Sequence, residues 1–175
     1  MKIPTDVLIS RDELSREIGL LVAGFEDVRK QTVSLLMDLS AEELSQRAAP
    51  SLHQIGSLAI HLAKNEFWWI HAVYAGRNLT DEERRRFYLD DDTLEADFTH
   101  TGFRAEDCIR LMTAAHDLTL STLAGVSDSE LENVFPHPSD GPGVRSSLRW
   151  ILHHLIDHEA NHKGQISMLK RLIRS

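Results

Sequence analysis

Three histidines lie at four-residue intervals near the end of the chain, at His154, His158 and His162. Positions four apart on an α-helix are separated by about 40° around its axis and by one turn along it, so these imidazoles would form a row. Two imidazoles at this spacing can present nitrogens to one metal ion, as H-x-x-x-H pairs do for Zn²⁺ and related metals. The row therefore indicates part of a metal site, and a further ligand must come from elsewhere in the chain.

A long helix is predicted to carry this row, over residues 145–174. Apolar residues recur close to the helical period on both sides of the histidines, at Leu148, Ile151, Leu152, Leu155, Ile156, Ile166, Leu169 and Ile173. We therefore expect the imidazoles to project beside the stripe of this helix that faces the core.

Apolar residues also recur at the helical period in three earlier segments, residues 10–37, 51–74 and 101–124. Ser10 and Glu13 predict a capping box at the start of the first helix, and Ser40 with Glu43 predicts a short helical turn after it. No sustained alternation of apolar and polar residues indicates a strand. Four long helices predict an all-α four-helix bundle, formed as a single domain over residues 1–175.

The segment between the second and third helices is charged and irregular, and residues 77–100 are predicted to form a long crossover that could gate a site. A short helix is expected within it, near residues 81–88. The net charge of −8 and the pI of about 5.6 argue against binding to nucleic acid or anionic membranes, which require a basic face. No apolar run of roughly eighteen residues predicts a membrane span. Since Cys108 has no second cysteine to pair with, a cytoplasmic protein is expected.

A faint internal repeat predicts where the further ligand lies. Displacing the second helix by 97 residues places His61 on His158 and keeps the apolar positions around them in register. Two helical hairpins related in this way would bring these two imidazoles to similar depths, facing one another. His61, His158 and His162 would then form a three-imidazole site that leaves positions of the ion open for water or substrate. By spacing alone, His154 could replace His162 or line the pocket.

Two segments are similar to a known family: HLAKNEFWW, which begins at His61, and DHEANHKGQI, which begins at Asp157. They resemble the DinB-like superfamily, the DinB and YfiT-type metal-binding bundles, and the resemblance covers nearly the whole chain. It implies a four-helix bundle of up-down-down-up order, a homodimer, and the ligands His61, His158 and His162. The ion is nickel or zinc in some relatives. Characterised relatives include thiol S-transferases that use bacillithiol or mycothiol, and a mycothiol-dependent maleylpyruvate isomerase.

The imidazoles and the resemblance together predict a divalent-metal-binding protein, with thiol S-transfer to small electrophiles as the first hypothesis. A bound ion would lower the pKa of a low-molecular-weight thiol and provide a thiolate at neutral pH. A metal-dependent hydrolase is one alternative, and a non-catalytic metal-binding or small-ligand-binding stress-response protein is another. A structural dimerisation domain with buried histidines is a third. No carboxylate stands out as the proton acceptor that hydrolysis would need, which favours thiol transfer.

Several other residues receive a structural interpretation. Glu66 lies about 140° around the helix from His61, so we expect it to form a salt bridge rather than to bind the ion or act as a base. Gln165 is placed to hydrogen-bond behind His162. The three tryptophans are interpreted as core residues or as a pocket wall. Six histidines are interpreted as surface or loop residues, namely His53, His71, His100, His116, His137 and His153.

Overall fold

The computed structural model describes residues 7–92, 94, 102–137 and 143–175. The helices within these ranges are α1 (Arg16–Leu36), α2 (Ala41–Ser45), α3 (Ile55–Phe67), α4 (Asp81–Arg86), α5 (Ala105–Leu123) and α6 (Leu148–Ile173). A π-helical segment, Trp68–Tyr74, continues α3, and a 3₁₀ turn occupies Asp128–Glu130. Two short strands, β1 (Val134–Pro136) and β2 (Arg145–Ser147), precede α6.

The four long helices α1, α3, α5 and α6 form a four-helix bundle, as the sequence predicts. Helix α1 packs along α6, α3 packs along α5, and the contact between α3 and α6 joins the two pairs. One part of the core lies between α3 and α5, around Leu58 and Met112, and the other lies between α1 and α6, around Ile18 and Leu152. The contact between α3 and α6 matters most for function, because the candidate ligands lie on these two helices.

The predicted start of the first helix is wrong. Helix α1 begins at Arg16 after the N-cap residue Ser15, and not at Ser10. Ser10 instead packs against the side of α1 at Gly19, where an added Cβ would come within 2.0 Å of the Ser10 Oγ. The apolar period continues upstream of α1 because this lead-in segment also packs on the helix. The cap comes from Asp128, which is distant in sequence.

The other helix boundaries follow the predictions more closely. The capping box of Ser40 and Glu43 is present in full, with the Glu43 N–H donating to Ser40 Oγ over 3.2 Å. The second predicted helix begins at Ile55, four residues late, and changes to a π-helix at Trp68. The short helix in the crossover is α4. The predicted crossover otherwise falls partly outside the described residues, which omit 93 and 95–101 and therefore His100.

The expectation that the chain has no strands is wrong, since β1 and β2 pair in an antiparallel ladder. Val134 pairs with Ser147 and Pro136 with Arg145, so the first three residues of the predicted fourth helix are extended. Strands of three residues are too short to show an alternating pattern in the sequence. In the described ranges, no helix combines the length and the apolar character needed to cross a bilayer.

Candidate metal centre

The three predicted ligands meet between α3 and α6. The Nε2 atom of His158 lies 3.2 Å from Nε2 of His61 and 3.2 Å from Nε2 of His162. One ligand atom from each residue lies within 4.8 Å of the others, and all three side chains are half-buried. His154, the alternative by spacing, is not part of this group. The structure therefore brings together the three residues that the repeat and the resemblance single out.

The packing of the two helices explains this convergence. On α3, His61 lies between the buried residues Ile60 and Leu62, so its ring emerges at the edge of the core. On α6, buried Leu155 and Ile166 anchor the helix on either side of the histidine pair. The two helices touch along this edge, and the imidazoles fill the space between them. The sequence separation of the facing rings, 97 residues, equals the displacement of the internal repeat.

The donor set fits a divalent metal ion. Zinc–nitrogen bonds of about 2.0–2.1 Å in tetrahedral geometry place neighbouring nitrogens about 3.3 Å apart, and two of the Nε2 pairs are separated by 3.2 Å. Three imidazoles also suit nickel, iron or copper. Such a set would leave coordination positions for a further ligand, an arrangement typical of reactive rather than structural sites.

Gln165 sets the tautomer of His162. The Nδ1 atom of His162 lies 3.0 Å from Oε1 of Gln165. Because an amide oxygen only accepts, His162 donates its Nδ1–H and keeps the Nε2 lone pair directed at His158. The Gln165 amide donates in turn to Oδ1 of Asn161 over 3.2 Å, which fixes its orientation. The predicted hydrogen bond behind His162 is therefore present, in the form that supports metal-binding histidines.

Electrostatics keep the three imidazoles neutral. Burial lowers the pKa of His61 to about 4, aided by the neighbouring His162 and by the charge of Lys64, and opposed by the charge of Asp92. Burial, with the neighbouring imidazoles, lowers the pKa of His158 to about 3. Burial also lowers the pKa of His162, against the hydrogen bond to Gln165. A cation would thus meet three uncharged imidazoles at neutral pH, with no positive charge among them to repel it.

One side of the centre is polar, and we call it the rim: His53, Lys64 and Asp92. The Nδ1 atom of His53 donates a hydrogen bond of 3.0 Å to the carbonyl oxygen of Leu94. Lys64 donates to the carbonyl oxygen of Asp91. These contacts hold the segment after α4 against α3, and the rim charges act on His61.

The other side is aromatic, and we call it the aromatic wall: Trp68, Trp69, His137, Trp150 and His154. The His154 ring lies 5.4 Å from that of His158 and stacks on Trp150, with centroids 4.8 Å apart and an interplanar angle of 5°. Trp69 packs edge-on against both of these rings. The wall holds all three tryptophans of the chain.

Behind the centre lies a buried ion network that the sequence analysis missed in part: Arg29, Glu66, His116 and Glu159. Arg29 pairs with Glu66 and Glu159, each over 3.0 Å, and His116 lies 3.0 Å from Glu66. The salt bridge predicted for Glu66 is confirmed. The surface assignment of His116 is wrong, as is that of His71, which is 3% exposed. A usable signal existed for Arg29, which lies four residues after buried Phe25, on the core-facing stripe of α1.

Solved structures show the same fold. A conserved protein from Enterococcus faecalis superposes with a TM-score of 0.69 at 18% identity, over 89% of this chain and 95% of the other. A DinB-like protein from Bacillus cereus ATCC 10987 gives 0.65 at 18% identity, over 90% and 93%. No curated protein sequence matches the chain significantly. The fold is therefore that of a DinB-like protein.

The family assignment is more specific. The sequence profile described as mycothiol-S-transferase matches residues 20–175, which include all of α3 and α6. The chain belongs to the mycothiol-S-transferase family.

Proposed function

We propose that this protein binds a divalent metal ion through His61, His158 and His162 and transfers a low-molecular-weight thiol to a small electrophile. The observation that carries the proposal is the convergence of three neutral Nε2 atoms between α3 and α6. Membership of the mycothiol-S-transferase family supports mycothiol as the thiol. The donor set and the resemblance favour zinc or nickel as the ion.

A divalent ion held by His61, His158 and His162 would lower the pKa of a thiol and make its thiolate available at neutral pH. The thiolate sulfur then forms a bond to the electrophilic carbon. At a saturated or aryl carbon, the leaving group departs with the bonding electron pair, and the thiol proton goes to solvent. At a conjugated double bond, the thiolate adds to one carbon, the displaced π-electron pair takes up a proton, and no group leaves. Neither route needs an oxidant or a reductant.

The contacts of two buried carboxylates favour thiol transfer over hydrolysis. Glu159 directly follows His158 and Glu66 lies five residues after His61, but both are 1% exposed in their side chains and paired with Arg29. They are therefore poor proton acceptors for an attacking water. A metal-dependent hydrolase is the second candidate because the Asp92 carboxylate acts on His61 and could serve as a base.

Metal analysis is the first test. Purified protein is expected to hold one zinc or nickel ion per chain, and His61→Ala and His158→Ala are expected to lose it. His153→Ala is the matched control, because His153 is an exposed histidine of the same helix. A metal content that is the same in all four proteins would contradict the proposal, and would favour buried structural histidines.

Product analysis is the second test. The metal-loaded protein is incubated with mycothiol, bacillithiol or glutathione and with one aliphatic electrophile, chloroacetamide, or one aromatic electrophile, 1-chloro-2,4-dinitrobenzene. Mass spectrometry is expected to show a thioether whose formation requires metal and is lost in His158→Ala. Metal binding without any conjugate would favour the non-catalytic binder. Cleavage of an activated ester that is lost in Asp92→Asn would favour the hydrolase.

We further propose a cytoplasmic homodimer. The DinB-like resemblance supports the dimer, and the single buried cysteine, Cys108, suits a reducing compartment. Light scattering coupled to gel filtration is expected to give twice the chain mass of 19.8 kDa.

A further inference from the structure

The aromatic wall continues the row of metal-ligand rings along α6. Trp150, His154, His158 and His162 are spaced four residues apart and present successive rings on one side of the helix. Their neighbouring centroids lie 4.8, 5.4 and 4.4 Å apart. A row of this kind joins the candidate metal centre directly to an aromatic surface.

Within the aromatic wall, Trp69 is buried and held by its neighbours, whereas Trp150 is exposed. Trp69 is only 7% exposed and packs edge-on against Trp150 and His154, with centroids 5.3 and 5.0 Å away. His137 holds Trp69 from the strand side at 4.8 Å. Trp150 is 46% exposed, although His154 covers one of its faces. Burying an indole completely would be the more stable arrangement if packing were its only role.

We propose that the aromatic wall binds the electrophile, and that this electrophile is a planar, electron-poor aromatic or conjugated molecule. The inference rests on the proposed thiol transfer and names the class of its second substrate. Indole faces are electron-rich and prefer offset stacking or edge contacts with flat rings. Electron deficiency strengthens such contacts, and the same property makes a carbon open to attack by a thiolate. One chemical feature therefore serves both binding and reaction.

The distances along the helix suit this assignment. Four residues of α-helix rise about 6 Å, so Trp150 lies two turns, about 12 Å, from His158, and His154 lies between them. A flat molecule that lies across the outer edges of Trp150 and His154 comes within one turn of His158 and can present a reactive carbon to the metal centre.

The two sides of the centre differ in chemistry, which separates the two substrates. The rim carries the charges of Lys64 and Asp92, which act on His61, whereas the wall contacts His158 through His154. A low-molecular-weight thiol built on sugars or amino acids is polar and fits the rim. The flat electrophile would then bind at the aromatic wall.

Binding can be measured without metal and without turnover. The probe is 2,4-dinitroaniline, which is planar and electron-poor but has no leaving group for a thiolate to displace. Titration into metal-free protein, followed by calorimetry and by quenching of tryptophan fluorescence, is expected to show saturable binding to one site. All three tryptophans lie in the wall, so the quenched emission comes from this surface, and the variants below test whether the probe binds there. Nitrocyclohexane, which has the nitro group but no flat ring, is expected to bind at least about tenfold more weakly, or about 1.4 kcal/mol.

Variants of the exposed ring complete the test. Trp150→Ala is expected to weaken binding of 2,4-dinitroaniline about tenfold, and Trp150→Phe is expected to stay within about threefold of the unchanged protein. Leu172→Ala, an exposed apolar residue near the end of α6, is the matched control and is expected to bind normally. Circular dichroism checks that each variant is folded, and Trp150→Phe keeps a ring in place if the alanine variant is not.

The outcomes separate this inference from the proposed function. Absence of saturable binding, or equal binding by Trp150→Ala and Leu172→Ala, overturns the aromatic-wall site even if the protein transfers thiols. Equal affinity for nitrocyclohexane overturns the preference for flat molecules. Normal probe binding by a protein that forms no thioether overturns the transfer reaction instead, and leaves the wall as a binding site for flat ligands.

Discussion

Arg29 of α1 holds Glu159 of α6 through two parallel hydrogen bonds, from Nε to Oε1 and from Nη2 to Oε2, each 3.0 Å long. The same guanidinium reaches Glu66 of α3 over 3.0 Å. Glu159 directly follows His158, and Glu66 shares α3 with His61. One buried cation therefore ties together the two helices that bring the candidate ligands face to face.

Replacing Arg29 is expected to destabilise the fold strongly. Arg29→Met would leave two carboxylates, each 1% exposed in its side chain, without their shared cation. Breaking a buried ion pair from one side costs about 3–5 kcal/mol. Urea unfolding of metal-free protein, followed by circular dichroism, measures the loss. Lys30→Met is the matched control, since Lys30 is exposed on the same helix and its loss should change stability by less than about 0.5 kcal/mol.

Neutralising the carboxylates provides a second check on this prediction. If unpaired charge causes the loss, then Arg29→Met combined with Glu66→Gln and Glu159→Gln is expected to be more stable than Arg29→Met alone. Equal unfolding midpoints for Arg29→Met and Lys30→Met would show that the network contributes nothing to stability.

The pH dependence of stability is expected to report on His116. Burial lowers the pKa of this imidazole, but its bonds with Glu66 and Glu26 outweigh burial and raise the pKa above the ordinary 6.5. A raised folded pKa contributes stability that is present below pH 6.5 and is lost as pH rises through the folded value. The unfolding free energy of metal-free protein should therefore fall with pH above neutrality, by at most about 1.4 kcal/mol per unit.

Two other kinds of buried group change the stability outside the pH range in which His116 acts. The buried imidazoles with lowered pKa, such as His61 and His71, change stability only below pH 6.5. Cys108, whose pKa burial raises to about 12 from 9.0, lowers stability only in more alkaline solution. His116→Gln is expected to flatten the slope between pH 7.0 and 8.5, and His153→Gln, an exposed control, to keep it. If the unfolding free energy of His116→Gln still falls with pH at the same rate, His116 is not the group responsible for the pH dependence.

The parts of the fold that the sequence predicts are those encoded locally. Helical periodicity marks the four long helices because each buries one stripe of its own residues. The box of Ser40 and Glu43 is visible because both partners lie within one turn. The meeting of His61 with His158 is an exception, since a repeat of 97 residues converts a distant contact into a comparison of two segments.

The features that the sequence analysis missed depend on contacts between distant segments. Burial of Arg29 and His116 is tolerated only because carboxylates from other helices pair with them. No local sequence pattern predicts which carboxylates those are. His71 is buried beside Phe67, with ring centroids 4.5 Å apart, as part of a π-helical turn that periodicity does not reveal. The start of α1 was mistaken for the same reason, because its cap lies more than a hundred residues away along the chain.

That distant cap is itself a point of stability. The Asp128 carboxylate accepts hydrogen bonds from Ser15 Oγ over 2.7 Å and from the backbone N–H groups of Glu17 and Ile18 over 3.0 Å. Removing a carboxylate that caps a helix is destabilising, because N–H groups are orphaned and a favourable charge at the helix N-terminus is lost. Asp128→Ala is therefore expected to lower the midpoint of urea unfolding. Asp117→Ala, at an exposed position of α5, is the control and should have little effect.

Gln165 is expected to set the strength of metal binding through His162. Its Oε1 accepts the Nδ1–H of His162 over 3.0 Å, which leaves Nε2 as the lone pair for an ion. Loss of such a supporting contact typically lowers metal affinity about 10- to 100-fold. Gln165→Ala is expected to fall in this range, whereas Gln165→Glu is expected to bind at least as tightly because a carboxylate accepts the same hydrogen bond more strongly.

Competition between the protein and a zinc-sensitive dye at pH 7 measures these affinities directly. Gln46→Ala is the matched control, since Gln46 is exposed and lies in the connection after α2. Affinity that falls equally in Gln165→Ala and Gln165→Glu would show that the amide acts by packing rather than by orienting His162. Affinity that is unchanged in both would mean that Nε2 of His162 does not bind the ion, because a ligand whose tautomer is left free must lose part of its affinity.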